Sequence, residues 1–169
     1  MTGPDTRTRA SWFHLWRRAL SGILFIFFLL ATTSPGMGLE PFRSSTLQIE
    51  SASGRHSFTV EIADNDATRA RGLMFRRALA PNHGMLFVYP RARMISMWMK
   101  NTFIPLDMIF IDANGVIVSV HERAVPHSLT PISSQKRAVA VLELDGGSVA
   151  RFSIHPGDRV LNSHFGAAE

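Results

Sequence analysis

Leu106-Asp107-Met108-Ile109-Phe110-Ile111-Asp112-Ala113-Asn114-Gly115-Val116-Ile117-Val118-Ser119-Val120-His121 places two apolar runs on either side of a turn. Asn-Gly accepts the positive φ that a tight reversal needs, so the stretch reads as a β-hairpin. Outward from it the chain keeps the same texture, short apolar or alternating runs broken by turn residues, which is how half-buried strands read. Further strands are expected at 46–50, 57–63, 85–89, 95–99, 138–144 and 159–162. Two short helices interrupt them, at 66–75, where Asp64 or Asp66 can cap, and at 147–152. Pro156-Gly157-Asp158 fits a type II turn, and the irregular stretch 124–136 carries Pro126, Pro131 and paired serines. The fold expected is mainly β, a barrel-like or strongly bent antiparallel or mixed sheet with two short helices.

The 169 residues suffice for one domain, taken as 46–165 behind a linker at 39–45. The net charge of +5 invites a nucleic-acid reading, but Arg7, Arg9, Arg17 and Arg18 stand against Asp5 alone in 1–38. Three of the five charges therefore sit there and two remain for the body, where arginines are scattered rather than aligned with aromatics. A nucleic-acid partner is not expected. Without cysteine there is no disulfide, thiol nucleophile, thiolate metal site or lipobox acylation.

Residues 19–31, A-L-S-G-I-L-F-I-F-F-L-L-A, are apolar, follow Arg17-Arg18 and precede a small, turn-forming stretch to Gly38. That order is a secretory signal, with Gly36 and Gly38 or Ala31 and Thr33 offering cleavage sites. An uncleaved anchor is the competing reading, since Trp12, Phe13 and Trp16 could extend the run as interfacial aromatics; cleavage is preferred. General secretion fits better than the twin-arginine route, because Trp16 stands where Ser or Thr is usual. A periplasmic or exported location is expected, with membrane contact only through this segment if it is retained.

The chemistry-bearing stretch is Met94-Ile95-Ser96-Met97-Trp98-Met99-Lys100-Asn101-Thr102, then Ile104-Pro105-Leu106-Asp107. On a strand, Met97 and Met99 share a face with Ile95, while Met94, Ser96, Trp98 and Lys100 share the other. Met97 and Met99 could hold Cu(I) as soft thioethers. Methionine also fills core space beside aromatic rings, and that reading is preferred because no His spacing supports a metal. No cofactor is expected. Lys100, Asn101, Thr102 and Asp107 form a polar group in which Asp107 could hold the Lys100 ammonium beside a ligand anion. The alternative is a turn in which Asp107 pairs with a neighbouring N–H. No G-x-S-x-G, triad or phosphate loop is present.

Arg71-Gly72-Leu73-Met74, Gly84-Met85-Leu86-Phe87-Val88, Trp98-Met99-Lys100-Asn101-Thr102, Pro105-Leu106-Asp107-Met108-Ile109-Phe110-Ile111-Asp112, Val141-Leu142-Glu143-Leu144 and Pro156-Gly157-Asp158-Arg159-Val160 together resemble the domain of unknown function 192 family. The resemblance implies a compact, mainly β domain, commonly exported, with no established activity. Where many members carry P-C…P-C, this chain reads Pro126-His127 and Pro131-Ile132, so a shared role of that loop is not cysteine chemistry. The leading expectation is a non-enzymatic binding or accessory domain using Trp98, Lys100, Asn101, Thr102 and Asp107 toward an unknown small molecule or envelope protein. The alternatives are a hydrolase or lyase built on Asp107 and Lys100, and Cu(I) binding by Met97 and Met99.

Overall fold

The computed structural model describes residues 41–165, so the expected export segment lies outside the described residues. The strands are β1 Arg43–Ser51, β2 Gly54–Ala63, β3 His83–Arg93, β4 Ser96–Met97, β5 Leu106–Ile111, β6 Ile117–Ala124, β7 Ile132–Ser133, β8 Ala138–Asp145 and β9 Arg159–Leu161. Two short helices accompany them, α1 Asp66–Arg71 and α2 Ser148–Arg151. The fold is mainly β, as the patterning predicts. Seven strands form one sheet in the order β6-β5-β8-β3-β2-β1-β9, and β4 and β7 make a second, two-stranded ribbon. All pairs of the main sheet are antiparallel except β2 with β3, whose parallel connection runs through α1.

The sheet curls into a half-barrel. At one end its two edges meet: Val116 bridges Arg159, Ile117 N–H donates to Asp158 O at 2.9 Å and Val160 N–H to Gly115 O at 2.7 Å. The inner face holds one apolar cluster, built on Leu47, Phe58, Val60, Leu86, Ile109, Ile111, Leu142 and Leu144. The outer face holds a second, with Met85, Phe87, Met108, Phe110 and Val141, roofed by Leu73, Ile95, Met99 and Ile104 from the long connections. Each such Leu, Ile, Phe or Met removed from water contributes about 1.5–3 kcal/mol. Burial on both faces explains why β5 reads Leu-Asp-Met-Ile-Phe-Ile rather than as a clean alternation, every residue of it being buried.

Several boundaries differ from those expected. The strand expected at 95–99 is regular only at Ser96–Met97, because it pairs with β7 alone and leaves the ribbon after Met97. Its face alternation nevertheless holds: Ile95 and Met99 are buried, Met97 is half-buried, and Met94, Ser96, Trp98 and Lys100 are exposed. Helix α1 stops at Arg71 instead of 75, since Gly72 takes φ 48. Its cap is Asn65, not Asp64 or Asp66: Asn65 Oδ1 accepts from Thr68 N–H at 2.9 Å and Thr68 Oγ1 accepts from Asn65 N–H at 3.1 Å. The stretch 124–136 contains β7. The hairpin turn is a three-residue one, with Gly115 N–H donating to Asp112 O and Gly115 at φ 77, while Asp112 Oδ1 accepts from Asn114 and Val116 N–H.

Candidate functional site

Glu143 lies near the end of β8, in register with Met85 on β3 and Met108 on β5. Strand alternation sends Leu142 and Leu144 into the half-barrel and Glu143 to the outer face, among thioethers and Phe87. It is buried, with 4% of its surface exposed, and makes no ion pair among the described residues. Burial alone pushes its carboxyl up to about 8, so at neutral pH it is mostly protonated and can donate a hydrogen bond. Gly84 allows the β3 backbone to press against β8 here: a Cβ on it would lie 2.3 Å from Glu143 O.

Above this carboxyl the outer layer leaves a cavity of about 80 Å³. Helix α1 and its C-terminal turn supply Arg69, Arg71 and Met74, β3 supplies Phe87 and Tyr89, and the 94–103 connection supplies Met97, Trp98, Lys100 and Thr102. Arg69 is fixed: Nη1 donates to Val88 O at 2.8 Å, Nη2 pairs with Asp66 at 2.6 Å, and the guanidinium lies 5.2 Å from the Tyr89 ring centre. Arg71 stacks on Phe42, 3.9 Å from its ring centre. Tyr89 O–H donates weakly to Met97 Sδ at 3.7 Å, and burial raises the phenol above its ordinary value against the opposing pull of Arg69 and Arg93. Lys100 Nζ lies 5.4 Å from the ring of the exposed Trp98 and has no carboxylate partner among the described residues. The site thus combines a buried carboxyl at depth, fixed cations on its walls, and an ammonium beside an indole.

Of the residues expected from sequence, Trp98, Lys100 and Thr102 line this cavity and Asn101 and Asp107 do not. Thr102 is buried and its hydroxyl donates to Lys100 O at 3.3 Å, shaping the turn that carries Lys100. Asn101, at φ 55, reaches Met74 Sδ at 3.9 Å and its carbonyl accepts from Phe75 N–H at 2.8 Å. Asp107 sits between Leu106 and Met108 of the outer cluster and so points to the opposite face. There Oδ2 accepts from Gly147 N–H at 2.9 Å and Val149 N–H at 2.7 Å, and Oδ1 from Arg123 N–H at 2.8 Å. It caps α2, whose own Gly147 has no side chain to do so, and holds the β6 bulge where Arg123 takes φ 48. Of the two readings open for Asp107, backbone pairing is the one the geometry adopts. Met99 is fully buried in the outer cluster and Met97 forms part of the cavity wall. No group of three or more His, Asp or Glu able to hold a metal occurs among the described residues.

The profile of the family described as an uncharacterized ACR, domain of unknown function 192, matches residues 48–161. This chain belongs to that family. Among solved structures it is similar to a Sinorhizobium meliloti 1021 protein described as a "putative transcription regulator". That protein is 44% identical with a TM-score of 0.73, covering 76% of this chain and all of the other. A Novosphingobium aromaticivorans DSM 12444 protein of unknown function is 38% identical with a TM-score of 0.71, covering 73% of this chain and 89% of the other. No curated protein matches the sequence. The family assignment fixes the domain and names no reaction. Glu143, Tyr89, Arg69 and Arg71 were not singled out by sequence as site residues. For Glu143 a signal existed, a lone acid inside the apolar Val141-Leu142-Glu143-Leu144. For the others the site depends on α1 and the 94–103 connection folding onto one face of the sheet, which no local pattern encodes.

Proposed function

We propose that this chain is an exported envelope protein that binds a small acidic molecule in the cavity above Glu143 and does not transform it. The observation that carries the reading is the buried Glu143 carboxyl at the foot of a cavity whose mouth holds Lys100, an ammonium with no carboxylate partner among the described residues. Lys100 suits an anionic group, Trp98 covers an apolar portion of the ligand, and the Glu143 O–H meets an acceptor at depth. About 80 Å³ is room for only a few heavy atoms, so a short hydroxycarboxylate or dicarboxylate is the class that fits.

Titration of Trp98 fluorescence and amide NMR shifts with lactate, malate, succinate and inorganic phosphate tests this. Saturable binding of a carboxylate, weakened about tenfold or more in Lys100→Ala, is expected. Absence of saturation with every anion, or affinities indifferent to both Lys100→Ala and Glu143→Gln, would overturn it. The export half rests on Arg17-Arg18 and the run 19–31. Expressing the full chain in a Gram-negative host, with osmotic-shock release and mass measurement of the N-terminus, decides it; a chain left wholly in the cytoplasm sinks it.

One observation favours a second reading. An acid protonated near neutrality is what proton donation to a leaving group requires, so a hydrolase or lyase would use Glu143 rather than Asp107. Turnover of any envelope substrate that Glu143→Gln abolishes at unchanged stability would select it. The regulator description of the Sinorhizobium meliloti relative has no counterpart in the charge distribution of the described residues. Arg43, Arg55, Arg69 and Arg76 are each engaged by a carboxylate here rather than arrayed as a basic stripe.

A further inference from the structure

All the exposed large hydrophobic side chains of the described domain lie on three connections of the outer layer. Phe75 follows α1, Met94, Trp98 and Phe103 lie between β3 and β5, and Val125 and Leu129 follow β6. The connections are stitched to one another: Phe75 N–H donates to Asn101 O at 2.8 Å, Met99 N–H to Ser128 O at 2.9 Å and His127 N–H to Thr102 O at 3.1 Å. At their centre the rings form a chain, Phe75 edge-on to Phe103 at 6.1 Å and Phe103 tilted against His127 at 5.2 Å, with the Arg77 guanidinium 5.7 Å from the Phe103 centre. Phe75 is 64% exposed, Leu129 64% and Val125 68%. Bulky residues so displayed carry a solvation cost that a protein confines to surfaces it uses.

The charge around them has one sign. Residues 72–78, 94–103 and 125–131 contain Arg76, Arg77 and Lys100 and no Asp or Glu. Arg76 is paired with Glu61, at 2.9 and 2.5 Å, whereas Arg77 and Lys100 have no carboxylate partner among the described residues. Aromatic and aliphatic tips interspersed with unpaired cations complement an anionic bilayer surface, where rings settle at the headgroup level and the cations meet lipid phosphates.

We infer that the Phe75–Phe103–His127 surface, with Arg77 and Lys100, docks the domain on anionic phospholipid membranes. This surface borders the cavity and shares Lys100 with it, but Phe75, Arg77, Phe103, His127 and Leu129 do not line it.

The test uses the full chain carrying Trp12→Phe and Trp16→Phe, so that Trp98 alone emits. It is reconstituted in vesicles of phosphatidylcholine with or without phosphatidylglycerol, with bromine on the acyl chains. Quenching of Trp98 is expected only with phosphatidylglycerol. It is lost in Phe75→Ser/Phe103→Ser, while Arg77→Ser lowers the ratio of membrane-apposed to free Trp98 about fivefold. Leu129→Ser is a milder second variant should the double substitution fail to fold. An unquenched Trp98 in anionic vesicles overturns the inference, as does quenching that survives all these changes. So does sedimentation in the absence of lipid showing a dimer that Phe75→Ser/Phe103→Ser dissolves, which would assign the surface to a second copy. Carboxylate binding measured in the same variants is expected to stay unchanged, so the cavity reading and this one stand or fall separately.

Discussion

Asp107 and Glu143 are two buried carboxyls with opposite environments. Asp107 is surrounded by backbone donors, two of them at the start of a helix, which satisfy its side-chain oxygens. Asp107→Ala is expected to cost about 3 kcal/mol in urea unfolding, because it strands those amides. Glu143 has no such donors among the described residues, and folding raises its pKa from 4.5 to about 8. Over that interval the native state holds a proton the unfolded chain releases, so its stabilising effect is full below about 4.5 and is lost as pH rises through about 8. Denaturation midpoints measured across that window should fall with pH in the native chain and fall less steeply in Glu143→Gln. Sequence could not separate the two acids by type. It did contain a clue, since Asp107 stands out of phase with the outward-facing Leu106, Met108 and Phe110, whereas Glu143 stands in phase with Val141. Reading that clue needs the knowledge that both faces are buried.

Among the elements, the legible ones were those whose signals are local. The hairpin, the Pro156-Gly157 turn with Gly157 at φ 103, and both helices follow from residues within a few positions of each other. The brevity of β4 and the parallel pairing of β2 with β3 were not legible, because a partner strand far away in sequence decides each. Trp98 and Lys100 were recognisable as sharing one strand face from alternation alone, whereas the Arg69 and Tyr89 sides of their cavity come from other elements, α1 and β3. Gly84 shows how closely one such distant pairing is fitted. Gly84→Ala should cost about 2–3 kcal/mol, as its Cβ must displace the Glu143 carbonyl or Leu144 Cδ2, 2.7 Å away. Gly54→Ala meets nothing within 4 Å and should show only the strain of its φ of 117, about 1 kcal/mol. Equal losses in a thermal melt would refute the packing argument.

In the molecule as a whole, closure of the half-barrel depends on the last residues described. Val160 and Phe165 belong to the inner cluster, and a Cβ on Gly115 would sit 2.5 Å from Val160 O and 3.4 Å from Phe165. Phe165→Ala should therefore cost about 3–5 kcal/mol and quicken amide exchange in β9 and around Val116 together. Exchange confined to residues after 161 would mean that the edges close without it.

The position of Glu143 on β8 also bears on how the chain finds this sheet. Because β5 and β8 are apolar on both faces, greasy patterning scarcely distinguishes the native alignment from one slipped by a single residue. A slip of β8 by one residue would exchange Glu143 for Leu142 or Leu144 and drive its carboxyl among the side chains of the inner apolar cluster, whereas the native alignment gives it a vent. The acid then works as a key that fits one lock only, penalising the misaligned sheet more than the aligned one. Glu143→Leu should gain stability above pH 8 yet give doubled amide resonances and slower refolding. A single sharp spectrum at native rates would show that the alignment is set elsewhere.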